Sequence, residues 1–327
     1  VPDDPRNFRA DLKRYFYGVN VDIGPIGQAW NSNLYYINQM NNGVVDRRAV
    51  GTELRYAANG KNAFSLIDYD VSYNVLNIAM LNGTWVTEET TYTLLVDHRK
   101  TPYLQTTNAL FGTPNATLET INTANESLLR EQAKAVTATS DLFLAGVLHT
   151  VAKDWQLGGD VRLNRISGTG ATNCLLIVPG TSVLFLNPNA TTDAPCSLQA
   201  LPGTGNIWTY TAQVIGTKFP FENMTLVANA SYISSPAYRA QSLTINSLAR
   251  FGPQLQIDGF VLLYHQKDSF GVELHRVTPT VRMNYRFFDE WTFEASGGLE
   301  KTLTDSSTQK DSTSRQFFYF GLRWDFS

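Results

Sequence analysis

The sequence predicts an all-β protein, a transmembrane antiparallel β-barrel of about sixteen strands. Three observations carry that reading. Segments of about ten residues or more alternate apolar side chains with polar ones, the period of a strand. Charges recur in mid-segment, always opposite the apolar face, as they do where one face meets lipid and the other a wet lumen. The connections between segments alternate between short and long, which a soluble sandwich has no reason to do.

The first segment, YFYGVNVDI, puts Tyr15, Tyr17, Val19, Val21 and Ile23 on one face against Arg14, Gly18, Asn20 and Asp22. RRAVGTELRY sets Val50, Thr52, Leu54 and Tyr56 against Arg47, Gly51, Glu53 and Arg55. AFSLIDYDVSY sets Ile67, Tyr69, Val71 and Tyr73 against Asp68, Asp70 and Ser72. DWQLGGDVRLNR sets Trp155, Leu157, Val161 and Leu163 against Asp154, Asp160 and Arg162. VTPTVRMNYRF and WTFEASGGLE follow the same rule, with Arg282, Arg286, Glu294 and Glu300 on their polar faces. The last, FFYFGLRWDFS, carries Phe318, Phe320, Leu322, Trp324 and Phe326 on one face and Arg323 and Asp325 on the other. Globular strands usually run five or six residues, whereas a tilted membrane-crossing strand needs about 9–11. Trp155, Tyr285, Trp291 and Trp324 fall near segment ends, where barrels carry interfacial aromatic girdles.

Composition agrees. Among 327 residues, 43% are hydrophobic, 12% are aromatic and the net charge is -3. Mean hydropathy is -0.19, and no eighteen-residue apolar run exists, which excludes a transmembrane helix but not a barrel. The absence of a basic block argues against a nucleic-acid partner. The opening VPDDPRNFRA has no signal-peptide pattern, so the chain is expected to begin after processing or to be the end of something longer.

The chain resembles Gram-negative outer-membrane β-barrels over essentially its whole length. Its closing segment, Phe318, Phe320, Leu322, Trp324 and Phe326, resembles their C-terminal assembly signal, although Ser327 follows the last aromatic. VVDRRAVGTELRY and LLVDHRKTPYLQTTNAL also resemble C-terminal barrels of large outer-membrane proteins that carry tetratricopeptide repeats. The resemblance implies an outer-membrane location. The partners it implies are outer-membrane lipid and lipopolysaccharide, the barrel-assembly machinery, and a periplasmic repeat domain or other chains. The expected role is a channel for polar solutes or for export of a polymer. The rival is a structural anchor or assembly platform that conducts nothing.

A single barrel domain over 1–327 is expected, with 1–11 as an N-terminal extension and two long insertions. The first, 101–137, holds the one good helix signal: Thr117 as N-cap, Glu119 in the first turn, and a stripe of Leu118, Ile121, Leu128 and Ala135. That helix either folds into the lumen or caps it from solvent. The second insertion, 168–205, contains CLLIVPGTSVLFLN, read as a hairpin with apolar Leu175, Ile177, Val183 and Phe185. Cys174 and Cys196 flank it, and outside the cytoplasm they are expected to form a disulfide. Closing a loop of about twenty residues should stabilise the chain by roughly 3 kcal/mol. Two free thiols in unreduced, denatured protein would refute that bond.

The lumen-facing charges are expected to be Arg47, Glu53, Arg55, Asp68, Asp70, Asp97, Arg99, Asp160, Arg162, Asp258, Arg282, Arg286, Glu294, Glu300 and Arg323. Both signs are present, so they form either cross-wall salt bridges or a charge-separated eyelet. No catalysis, cofactor or metal is expected. His98, His149, His265 and His275 lack metal-ligand spacing, no nucleophile elbow or phosphate loop occurs, and adjacent Asp97 and His98 point to opposite faces. About fifteen strands can be counted, whereas bacterial barrels have an even number. Sixteen are therefore expected, the first at or before the observed start. Fourteen is the alternative, if one strand was split near Asn74–Asn77.

Overall fold

The computed structural model describes residues 13–41, 43–101, 103–110, 126–170, 175–177, 184–186, 200–287, 290–307 and 309–324. In chain order the strands are β1 (Arg14–Ile26), β2 (Trp30–Asn41), β3 (Val44–Ala58), β4 (Lys61–Asp70), β5 (Val75–Val86) and β6 (Thr90–Thr101). A 3-10 turn (Thr106–Leu110) and helix α1 (Glu126–Ala135) precede β7 (Ala138–Ala152), β8 (Trp155–Ile166), β9 (Leu175–Ile177) and β10 (Leu184–Leu186). The remainder are β11 (Gly205–Thr217), β12 (Met224–Ser234), β13 (Tyr238–Phe251), β14 (Leu255–Asp268), β15 (Glu273–Phe287), β16 (Trp291–Asp305) and β17 (Lys310–Trp324). All but β9 and β10 hydrogen-bond in chain order as one fifteen-stranded antiparallel sheet, and those two pair as a separate hairpin.

The all-β class stands, but the described sheet has fifteen strands rather than sixteen or fourteen. Nor was a strand split near Asn74: β4 and β5 are antiparallel neighbours joined by a tight turn. The two compact units are Val1–Trp85 with Leu94–Phe143 and Asn164–Gly205, and Val86–Thr93 with Leu144–Leu163 and Asn206–Ser327.

In the first unit, turn chemistry fixes the ladders. Asn59 and Gly60 both hold positive φ, 50° and 71°, the two-residue hairpin geometry that pairs Ala58 with Lys61. Beyond Asp70 the expected alternation fails. The Asp70 carboxylate accepts from Ser72 N at 2.8 Å and from Tyr73 N at 3.0 Å. This side-chain capture turns the chain, so Val71 and Tyr73 do not continue β4. Two bulges follow from the register. Gln39 opposes Arg47 while Met40 opposes Val45, which leaves Asp46 as the extra residue. Asp68 opposes Ile78 while Tyr69 opposes Leu76, which leaves Asn77 extra.

In the second unit the ladders from β11 to β17 run with short connections. The polar run TDSSTQKDSTS at 304–314, which by composition is expected to be a long loop, is not one: β16 extends to Asp305 and β17 begins at Lys310, their ends tied by a Lys310–Asp305 ion pair of 2.6 Å. The polar residues read as loop are strand ends. The expected regular alternation of loop lengths therefore reduces to two long insertions.

Both units expose large apolar side chains, and the first also buries charged and amide ones. Val50, Leu54 and Ile67 in the first, and Leu263, Val281, Phe318 and Phe320 in the second, are exposed. Asn38, Asp46, Asp68, Asp70 and Asn77 are buried. Val50, Leu54 and Ile67 fall on the faces that the period-2 reading made apolar, whereas Tyr73 does not.

Candidate functional site

The most constrained polar cluster lies on the first unit and is built from one row across three strands. Tyr35 on β2 opposes Gly51 on β3, and Gly51 opposes Asp68 on β4. Gly51 has no side chain, so the Tyr35 ring lies across it; an added Cβ there would come within 2.2 Å of that ring. The Tyr35 hydroxyl thereby reaches over a whole strand and donates to Asp68 Oδ2 at 2.7 Å. Arg47 Nη2 donates to the same oxygen at 2.6 Å. The bulged Asn77 donates to Asp68 Oδ1 at 3.3 Å. The fully buried carboxylate thus has three donors and one formal counter-charge, which is what a buried ion requires.

The β6–β7 insertion folds onto this wall. Tyr103 presents its ring 4.3 Å from the Arg47 guanidinium and accepts from Arg47 at 3.1 Å. Burial pushes the Tyr103 phenol above its ordinary pKa, with nearby charges acting in both directions. The 3-10 turn docks through Thr106 Oγ1, which reaches Val45 O and the Tyr73 hydroxyl, each at 2.8 Å. Burial likewise raises the pKa of the Tyr73 phenol. The bulge carboxylate of Asp46 accepts from Thr107 N at 3.0 Å and from Gln39 Nε2 at 2.5 Å. A bulge has re-aimed a side chain from the ladder to the insertion.

Helix α1 packs behind the turn. Leu129, Gln132, Ala133 and Val136 are buried at the spacing of one helical face. Ala135, expected in the stripe, is only half-buried; the predicted start at Thr117, with Leu118 and Ile121, and the side chain of Leu128 lie outside what is described. Glu126 stands in the first turn and Lys134 in the last, each favourable to the helix dipole. The helix end is fastened at both sides: Asn108 Nδ2 donates to Thr137 Oγ1 at 3.2 Å, and Gly170 N donates to Ala135 O at 2.8 Å. The helix packs on the 3-10 turn of its own insertion.

The other expected charges are spread over both units. Arg282 and Glu294 form a cross-strand bridge of 2.7 Å on the second unit, and Glu300 opposes Arg315 there. Glu53 with Arg55 and Asp97 with Arg99 pair along their own strands instead, Glu53–Arg55 at 2.9 Å. Asp258 opposes Arg282 and accepts from Gln256, while Asp160 lies beside Gly146. Arg286 opposes Thr292 and Arg323 faces the same residue from β17. Arg162 is exposed on β8. Asp70 is buried, and its carboxylate caps the β4–β5 turn. Period-2 reading missed Tyr35, Gln39, Asp46, Asn77 and Tyr103. Cys174, Cys196 and Phe326 lie outside the described residues.

No protein-family model matches this chain, and no curated protein does. Solved structures do. The likeness covers 96% of this chain and 91% of a bacterial polysaccharide outer membrane secretin, at 8% identity and a TM-score of 0.39. It covers 97% of this chain and all of an anion-selective porin from Comamonas acidovorans (100%), at 8% identity and a TM-score of 0.36. It covers 97% of this chain and 57% of the copper transporter OprC, at 12% identity and a TM-score of 0.48.

Proposed function

We propose that this sheet closes across an outer membrane and acts as a channel for small polar solutes, narrowed by the β6–β7 insertion. One observation carries the reading: large apolar side chains are exposed while carboxylates are buried, and the 3-10 turn of the insertion hydrogen-bonds one of the buried ones. An exposed apolar surface of this extent is intolerable in water and ordinary in lipid. Fifteen strands make a wall too wide for side chains alone to fill, so a wet interior is expected. Ion pairs of both orders, such as Arg282–Glu294 and Arg47–Asp68, support passage of polar solutes without a strong preference for one sign.

Single-channel recording in planar bilayers tests this. The wild-type chain is expected to conduct. Leu129→Asp places a carboxylate in a site that is 1% exposed, a cost of several kcal/mol, and should unseat α1 while leaving the strand ladders intact. Conductance of that variant is expected to rise. A sheet that folds and inserts yet conducts nothing in either form would favour the anchor role.

A further inference from the structure

We infer that His265 and His275 form a two-imidazole site for a divalent transition-metal ion at the outer edge of the second unit's apolar face. The two residues are direct cross-strand neighbours on β14 and β15. Their Nδ1 atoms stand 3.2 Å apart, their ring centres 4.3 Å apart, and the planes meet at 31°. The nitrogens are closer than the ring centres and within hydrogen-bond distance of each other, so the Nδ1 edges are the parts of the two rings that approach. Metal–imidazole bonds of about 2.0–2.1 Å put two cis nitrogens roughly 2.9 Å apart at a right angle and roughly 3.3 Å apart at the tetrahedral angle. The observed 3.2 Å lies between these. Imidazole pairs suit copper, nickel and zinc rather than magnesium or calcium.

The surroundings favour the required tautomer. Ligation through Nδ1 needs the proton on Nε2. Glu273 Oε2 lies 3.9 Å from His275 Nε2, on the far side of that ring, and Glu273 is itself held by Lys267 at 2.7 Å. The carboxylate is beyond direct hydrogen-bond distance and acts on the ring through its charge, which favours a proton on Nε2, so Glu273 is a positioning residue. One ladder step towards mid-strand the pair Leu263–Val277 is apolar; one step outward the pair Lys267–Glu273 is charged. The imidazoles therefore stand where lipid-facing surface gives way to water. A groove of about 770 Å³ runs beside them, floored by Ala212, Ala230 and Leu243, and leaves room for further ligands. Among the described residues no three His, Cys, Asp or Glu side chains converge, so the site offers two protein donors and open coordination positions.

Titrating tag-free folded protein in detergent with Cu²⁺ tests the site, with calorimetry for affinity and electron paramagnetic resonance for ligand count. One ion per chain bound through two imidazole nitrogens is expected. His265→Gln and His275→Gln should each weaken binding more than about tenfold, the lower end of what even outer-shell changes cost. Glu273→Gln should weaken it less, and His98→Gln not at all. Both imidazoles are at least partly exposed, so these variants should fold, which circular dichroism verifies. Unaltered affinity in His265→Gln, a spectrum with fewer than two imidazole nitrogens, or no saturable binding by the wild type would each overturn the assignment.

Discussion

Asp68→Ala is expected to lower folding stability by about 3–5 kcal/mol, the cost of breaking a buried ion pair from one side. The carboxylate is fully buried and the Arg47 side chain is only 12% exposed, so water does not replace the lost partner. Removing it strands three donors together: the Arg47 guanidinium, the Tyr35 hydroxyl and the Asn77 amide. Asp68→Asn keeps the shape and an acceptor oxygen, so it should cost less than the alanine change. Arg47→Met tests the charge from the other side. It also removes the contact with Tyr103, so it should loosen the insertion as well as the wall. Urea unfolding in lipid vesicles, followed by tryptophan fluorescence, reads all three. An alanine variant within 1 kcal/mol of wild type would mean that Asp68 is solvated in the folded protein, about as an exposed pair would be.

Why the strands were legible and this cluster was not comes down to what periodicity can encode. A strand between lipid and a polar interior is sorted on both faces, so alternation is strong; Val50, Leu157 and Val281 lie on the faces it assigns. A bulge breaks that parity without any mark in composition. Asp46 and Asn77 reach their partners only because each is an extra residue in its ladder. Tyr35 was missed for a related reason: its reach depends on the glycine opposite, a pairing that needs the register. At Tyr73, local capping by Asp70 overrode a pattern that read as strand. His265 and His275 were dismissed because ligand spacing was sought along the chain. Arms of five residues on either side of Phe270 make them neighbours across the turn. The loop lengths misled because polar strand ends look like loops when strands outrun the apolar band.

Val281→Arg separates a lipid-facing wall from a water-facing one by the sign of its effect. Val281 lies mid-way along β15, and 57% of it is exposed on the apolar face. Its cross-strand neighbours are Gly259 and Gly297, so no adjacent side chain on those strands could shelter a guanidinium. The strand ends lie six residues off in one direction and eight in the other, roughly 20 Å at about 3.3 Å per residue, beyond an arginine's reach to the interface. In a bilayer the charge stays near the midplane, and the expected loss is about 2–4 kcal/mol. On a surface facing water the same change at an exposed strand position should fall within about 0.5 kcal/mol. Asn284→Arg on the opposite face of β15 is the control. It adds a cation beside Glu294, its cross-strand partner position, and should change stability by less than about 1 kcal/mol. Unfolding free energies in lipid vesicles should therefore differ between the two variants by more than either's error. If Val281→Arg were neutral, the outward apolar face would not be meeting lipid at this depth, and the channel reading would lose its main support.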